Sequence, residues 1–351
     1  MLFFELLQIA LGNRERLSTV PSAKEWAEIY AESERQAITG ILLHGIDKLP
    51  AEQRPPQALL LQWIGVGQMI EQRNRLMDSR CHELLEKLSK HGLRGSILKG
   101  QGIALLYNGE LRKLRQSGDI DVYVDCGLNK SLAFAKSAGQ QDIDWDYKHL
   151  HLNVWNDTEV EMHYRVEVLL NLLKNKRLQK WFKEHEELIF NHDNALTTPT
   201  TEFNVFYILL HIYRHFLYEG IGLRQIVDYY MVLRKVYEDG LKVQKSVDAV
   251  HEFGMDKFAK GLMWVLKEAL RMPNEWMLWA PNEKEGLYIM KQVMKGGNFG
   301  HYDDRLKHSG GKFNAVKAIL KHNLHLLTHY PSDVIWAPVW VVWHKCWKLT
   351  R

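Results

Sequence analysis

The sequence predicts an α+β fold in which a small mixed sheet is flanked by N-terminal and C-terminal helical regions, and two changes of hydrophobic period predict it. From residue 1 to about 92 apolar residues recur at helical spacing. Between 93 and 200 they fall into short apolar or alternating runs, and from 201 onward helical spacing returns. A chain of 351 residues has room for two or three packed units. The expected division is an N-terminal helical region at 1–92, a core at 93–200 and a C-terminal helical domain at 201–351.

Taken in order, the opening MLFFELLQIALGN reads as an amphipathic helix, because Glu5 and Gln8 interrupt its apolar run. It carries neither the basic leader nor the small-residue cleavage site of a secretory signal. A long helix is expected over 56–91, opened by Pro55 and Pro56 and closed by Gly92. Strands are expected at 95–98, 120–124, 149–155 and 159–166, with helices over 100–108 and 128–138. Beyond 201 the pattern predicts helices over 202–218, 223–237, 243–253 and 257–270.

Composition narrows the class without naming a partner. A hydrophobic content of 46% with 12 tryptophans fits a folded globular chain. The net charge of +4, from 46 basic and 42 acidic residues, gives no bulk attraction for nucleic acid, so any such preference must be local. Cys81, Cys126 and Cys346 are scattered and odd in number, which suits reduced thiols and not a disulfide framework or zinc site. No run of about 18 apolar residues marks a transmembrane segment, so a soluble, cytoplasmic protein is expected.

The chemistry concentrates in SILKGQGIALLYNGELRKLRQSGDIDVYVD, residues 96–125. On a strand, residues two apart project to one face, so Asp119 and Asp121 would stand side by side while Ile120, Val122 and Val124 face the core. Two adjacent carboxylates repel unless a cation sits between them, and magnesium, with manganese as its substitute, is the hard cation that such groups hold together with phosphates. Gly100 permits close backbone approach, and a following helix can aim free N–H groups at a phosphate. Lys99, Arg112 and Arg115 are candidates to neutralise a triphosphate, with Ser117 beside them in the loop. An Asp-x-Asp pair alone is more often a solvated strand start, so the weight rests on the combination.

These features resemble the nucleotidyltransferases of the DNA polymerase β superfamily, in which a glycine turn precedes a pair of acidic strand residues and a later strand adds a third carboxylate. LKGQGIALLY, the run from Arg115 into GDIDVYV, VEMHYRV and, further on, GIGLRQIVDYYMVL resemble in particular a bacterial family of uncharacterised nucleotidyltransferases. The sequence departs from many members of the superfamily in having Lys99-Gly100-Gln101 at the turn and a longer path from Gly100 to Asp119. The resemblance implies a nucleotidyltransferase core at 93–200, a nucleoside triphosphate such as ATP as donor and Asp119, Asp121 and Glu161 as metal ligands and catalytic groups. It leaves Lys99, Gly100, Arg115, Ser117, His163 and Arg165 to bind phosphate or acceptor, the last two sharing the face of Glu161 if the strand is regular. The acceptor, whether small molecule, protein or RNA, and the oligomeric state stay open. An RNA-modifying, toxin-like transferase and a non-catalytic nucleotide- or partner-binding scaffold are the alternatives.

Other patterns have plainer readings. His211 and His215 share a helix face at a spacing that suits a metal, yet no zinc-binding glutamate motif surrounds them and packing or exposure is expected. Arg224 and Asp228 are expected to form a helical ion pair. Trp336, Trp340, Trp343 and Trp347 lie at helical spacing and are expected to pack on the helical domain or a partner subunit, with a membrane surface or a stacked base as alternatives. His322, His325 and His329 read as one polar helix face.

Overall fold

The structure, a computed structural model, describes residues 1–192, 195–302 and 326–350; the expected face formed with His322 and His325 lies outside them. In chain order the helices are α1 (Leu2–Leu11), α2 (Ala23–Arg35), α3 (Thr39–Asp47), α4 (Gln57–Lys90), α5 (Gln101–Ala104), α6 (Gly109–Leu114), α7 (Leu128–Ser137), α8 (Leu172–Glu184), α9 (Thr201–Tyr218), α10 (Leu223–Glu238), α11 (Gln244–Glu252), α12 (Asp256–Leu270), α13 (Glu283–Gly296) and α14 (Pro331–Leu349). The strands are β1 (Gly95–Ile97), β2 (Ile120–Val124), β3 (His149–Trp155) and β4 (Thr158–His163). The predicted α+β class is what forms, with helical regions at both ends of a small mixed sheet.

The elements gather into two compact units, each assembled from separated segments. One comprises Met1–Ser79, Ile103–Gly118 and Asn204–Tyr302; the other comprises Arg80–Gly102, Asp119–Phe203 and the described part of Asp303–Arg351.

Within the first unit α1 forms as expected, and more of it is enclosed than its polar residues suggest. Phe3, Leu6, Leu7, Ile9, Ala10 and Leu11 are all buried, and so is Gln8, whose amide donates to Ala269 O at 3.0 Å. The pairing of α1 with α3 depends on Gly45, where a Cβ would stand 2.8 Å from Leu6 O. Entry into α2 is fixed by a capping box: the Ser22 hydroxyl accepts from Glu25 N at 3.3 Å while Glu25 Oε2 accepts from Ser22 N at 2.8 Å.

Two expectations are corrected here. The helix expected over 100–108 stops at Ala104, and extended Asn108 and left-handed Gly109 (φ +45°) separate it from the next. A second helix, α6, then begins, so the stretch leading into Arg115 is helical where a basic loop was expected.

In the second unit the four strands run in the order β1-β2-β4-β3. β1 pairs antiparallel with β2, β2 parallel with β4, and β4 antiparallel with β3. Ile97, Ile120, Val122, Val124, Leu150, Leu152, Val160 and Met162 are buried in a shared core, the period-two alternation that separates them from the polar residues between. β4 ends at His163, three residues short of the expected 166. The tryptophans of α14 pack on this unit: Trp340, Trp343 and Trp347 place their rings 5.3, 4.9 and 4.9 Å from that of Tyr147. Three tryptophans of the stripe thus pack on the sheet-bearing unit. Cys81, Cys126 and Cys346 form no disulfide, and among the described residues no helix is long and apolar enough to cross a membrane.

Candidate active site

Three backbone features converge on the acidic face of the sheet. At the end of β1, Leu98 N donates to Asp121 O at 2.9 Å, which ties the turn that follows to β2. That turn passes through Gly100 in the left-handed region (φ +54°), where a Cβ would reach 3.4 Å from Asp119 O. The parallel pairing of β2 with β4 then sets Asp121 directly opposite Glu161. Asp119, just before β2, completes a group of three carboxylates whose ligand atoms all lie within 4.8 Å of one another.

Cationic groups sit inside this cluster. Lys99 Nζ lies 2.8 Å from Asp121 Oδ1. His163 Nε2 is 2.9 Å from the same oxygen and 3.2 Å from Glu161 Oε2. Asp121 is 2% exposed and His163 fully enclosed, so these charges act with little water between them.

The carboxylates respond unequally. Coulombic repulsion from Asp121, with burial, pushes the Asp119 carboxyl up to about 6 despite Lys99. Burial also works against ionisation of Asp121 and Glu161, but Lys99 and the His163 hydrogen bonds outweigh it and hold both below the usual carboxylate range. Burial would lower His163; its bonds to Asp121 and Glu161 raise it instead. His149 is drawn down to about 4 by burial and by the charge on His163.

The remaining candidates have other contacts. Arg115 and Ser117 belong to the helical unit. There Arg115 Nε and Nη2 both donate to Asp228 at 2.7 Å, and Tyr107 donates to the same carboxylate at 2.7 Å. The ion pair expected between Arg224 and Asp228 is therefore replaced: Asp228 is taken up by Arg115, and Arg224 Nη1 donates to Gln116 O at 3.1 Å. Ser117 Oγ is buried without a hydrogen-bond partner. Arg112 Nη2 stands 3.5 Å from Asp78. Because β4 stops at His163, Arg165 does not continue the strand face; its guanidinium lies 3.8 Å from the Tyr147 ring centre and Nη1 donates to Tyr147 O. The helix after Gly100 is a single turn of four residues, too short for an aligned row of free N–H groups. His211 and His215 are buried with ring centres 4.2 Å apart, a packed pair.

Sequence reasoning missed His149 and His151. They alternate along β3, and their partners in β4 are His163 and Glu161. The visible signal was the spacing His149-x-His151 on an expected strand, which set both rings on one face.

The chain belongs to the family of uncharacterised nucleotidyltransferases, whose sequence model matches residues 22–271. Comparison with curated proteins and with solved structures gives no match.

Proposed function

We propose that the protein is a metal-dependent nucleotidyltransferase of the DNA polymerase β superfamily that moves a nucleoside monophosphate from a nucleoside triphosphate to an acceptor hydroxyl or phosphate. The observation that carries this reading is the group formed by Asp119, Asp121 and Glu161. The donor set fits a hard divalent cation: three carboxylates converge, and repulsion from Asp121 together with burial holds the Asp119 carboxyl near 6 against the pull of Lys99. Magnesium, or manganese in its place, would supply the positive charge that screens these groups from one another and from the triphosphate.

The acceptor oxygen attacks the α-phosphorus, the bond to the bridging oxygen breaks, and pyrophosphate leaves. The acceptor's proton passes to a carboxylate of the cluster; without a cation Asp119 is the one of the three whose proton affinity is raised. Asp119, Asp121 and Glu161 would hold the cation, the last two being ionised already. Lys99 is the side chain placed to exchange its contact with Asp121 for a phosphate oxygen.

Thermal unfolding of wild type and Asp121→Asn with each nucleoside triphosphate, with and without magnesium, tests the assignment. A triphosphate at a hundred times its dissociation constant adds about 2.7 kcal/mol to the wild type. That gain is expected to need magnesium and to vanish in Asp121→Asn, alongside pyrophosphate release. Full transfer activity in Asp121→Asn defeats the reading, and the lack of a shift with any triphosphate favours a scaffold.

A further inference from the structure

We propose that the same sheet face carries a second, chemically different cation site, formed by His149 Nδ1, His163 Nε2 and Glu161 Oε2 with Asp121 beside it, which takes a first-row transition metal such as zinc or cobalt in preference to magnesium. The site shares Glu161 and Asp121 with the proposed carboxylate centre and rests on that reading only for their role in both.

The pairing of β3 with β4 sets His149 directly across from His163, with ring centres 5.0 Å apart. Both rings aim a nitrogen at one oxygen: His163 Nε2 lies 3.2 Å and His149 Nδ1 3.5 Å from Glu161 Oε2. Only His163 makes a hydrogen bond there. His149 Nδ1 is buried and has no hydrogen-bond partner, which is costly for a polar atom. A cation among the three atoms removes that cost: the His163 Nε2 proton is released to solvent, and each atom then donates a lone pair to the metal.

The dimensions agree. Nitrogen and oxygen donors at about 2.0–2.2 Å from a tetrahedral metal stand about 3.3 Å from one another. The two contacts to Glu161 bracket that value, and Asp121 Oδ1, 2.9 Å from His163 Nε2, is in reach as a fourth ligand. Two imidazoles with carboxylate are a borderline donor set that favours zinc, cobalt, iron or manganese, whereas magnesium prefers oxygen throughout. No ligand-bearing loop needs to close, because β3 and β4 already hold the three donors in register.

Cobalt(II) alone, titrated into chelator-treated full-length protein without nucleotide, tests the proposal through its visible d–d absorption. The wild type is expected to give a saturable band that zinc abolishes and magnesium does not. His149→Gln should weaken cobalt binding at least about tenfold, while Asp119→Asn, which disables the carboxylate centre, leaves it within about twofold of wild type. Equal cobalt affinity in His149→Gln and wild type, or no band at all, overturns the proposal. Pulsed electron paramagnetic resonance of copper(II)-loaded wild type reads imidazole nitrogen coupling directly, so misfolding of the variant cannot protect the idea; no nitrogen coupling also overturns it. Loss of magnesium-dependent nucleotide binding in Asp119→Asn with cobalt binding intact separates this site's fate from that of the carboxylate reading.

Discussion

The helical unit and the sheet-bearing unit each enclose a cluster of acid and base, and the two are balanced differently. In the helical unit Arg115 grips Asp228 with two parallel hydrogen bonds and Tyr107 adds a third. Each charge meets its opposite, and Asp228 raises the Arg115 guanidinium above its ordinary value although burial works against this. In the sheet-bearing unit three carboxylates share Lys99 and His163, and the excess shows in the raised carboxyl of Asp119. A closed pair holds structure; a cluster left with surplus charge is ready for a ligand of the opposite sign.

The sharpest way to break this comparison is to open the closed pair. Arg115→Ala leaves Asp228 buried without its counter-ion and is expected to cost about 3–5 kcal/mol in urea unfolding. A loss below about 1 kcal/mol would show that the Arg115–Asp228 pair contributes little to stability.

The surplus cluster should respond in the opposite sense. Asp119→Asn removes a repulsive charge, so the metal-free variant is expected to gain about 1–2 kcal/mol at pH 7.5, discounted from the full shift because Asp119 is partly solvated. It should lose all magnesium-dependent stabilisation by nucleotide. A destabilised metal-free variant would show that Asp119 is structural.

The same contrast appears along the pH axis. Asp119 has its folded pKa raised from 3.8 to about 6, so its contribution to stability is present below about 4 and is lost as pH rises through 6. Difference titration of wild type against Asp119→Asn by unfolding should show this slope between pH 4 and about 6, and metal-dependent nucleotide binding should weaken as pH falls below about 6. A flat difference would place the Asp119 carboxyl in the ordinary range. The smallest effect is expected from Tyr107→Phe, which removes one of three bonds to Asp228 and should cost about 1 kcal/mol; no loss would mean that Arg115 alone satisfies the carboxylate.

The sequence carried the parts of this arrangement that are local. A change from helical to alternating period located the strands, and the spacing of Asp119 and Asp121 put their side chains together. The burial of α1 was hidden because enclosure by α3 and α12 is a tertiary fact that no period within ten residues encodes. Arg115 looked like a phosphate ligand since its partner is 113 residues away. Glu161 came from resemblance, because only strand register brings it opposite Asp121. His149 was overlooked for the same reason: a strand's alternation shows which face a ring occupies, not which ring it meets across the ladder.

The parallel ladder between β2 and β4 has a consequence for how the protein matures. Asp121 and His163, 42 residues apart, meet only once β4 has paired in register with β2. A slip of one residue would send Glu161 and His163 to the apolar side of the sheet. A chain whose β2 and β4 are not yet paired, or are paired out of register, therefore holds the acidic group only as separate halves.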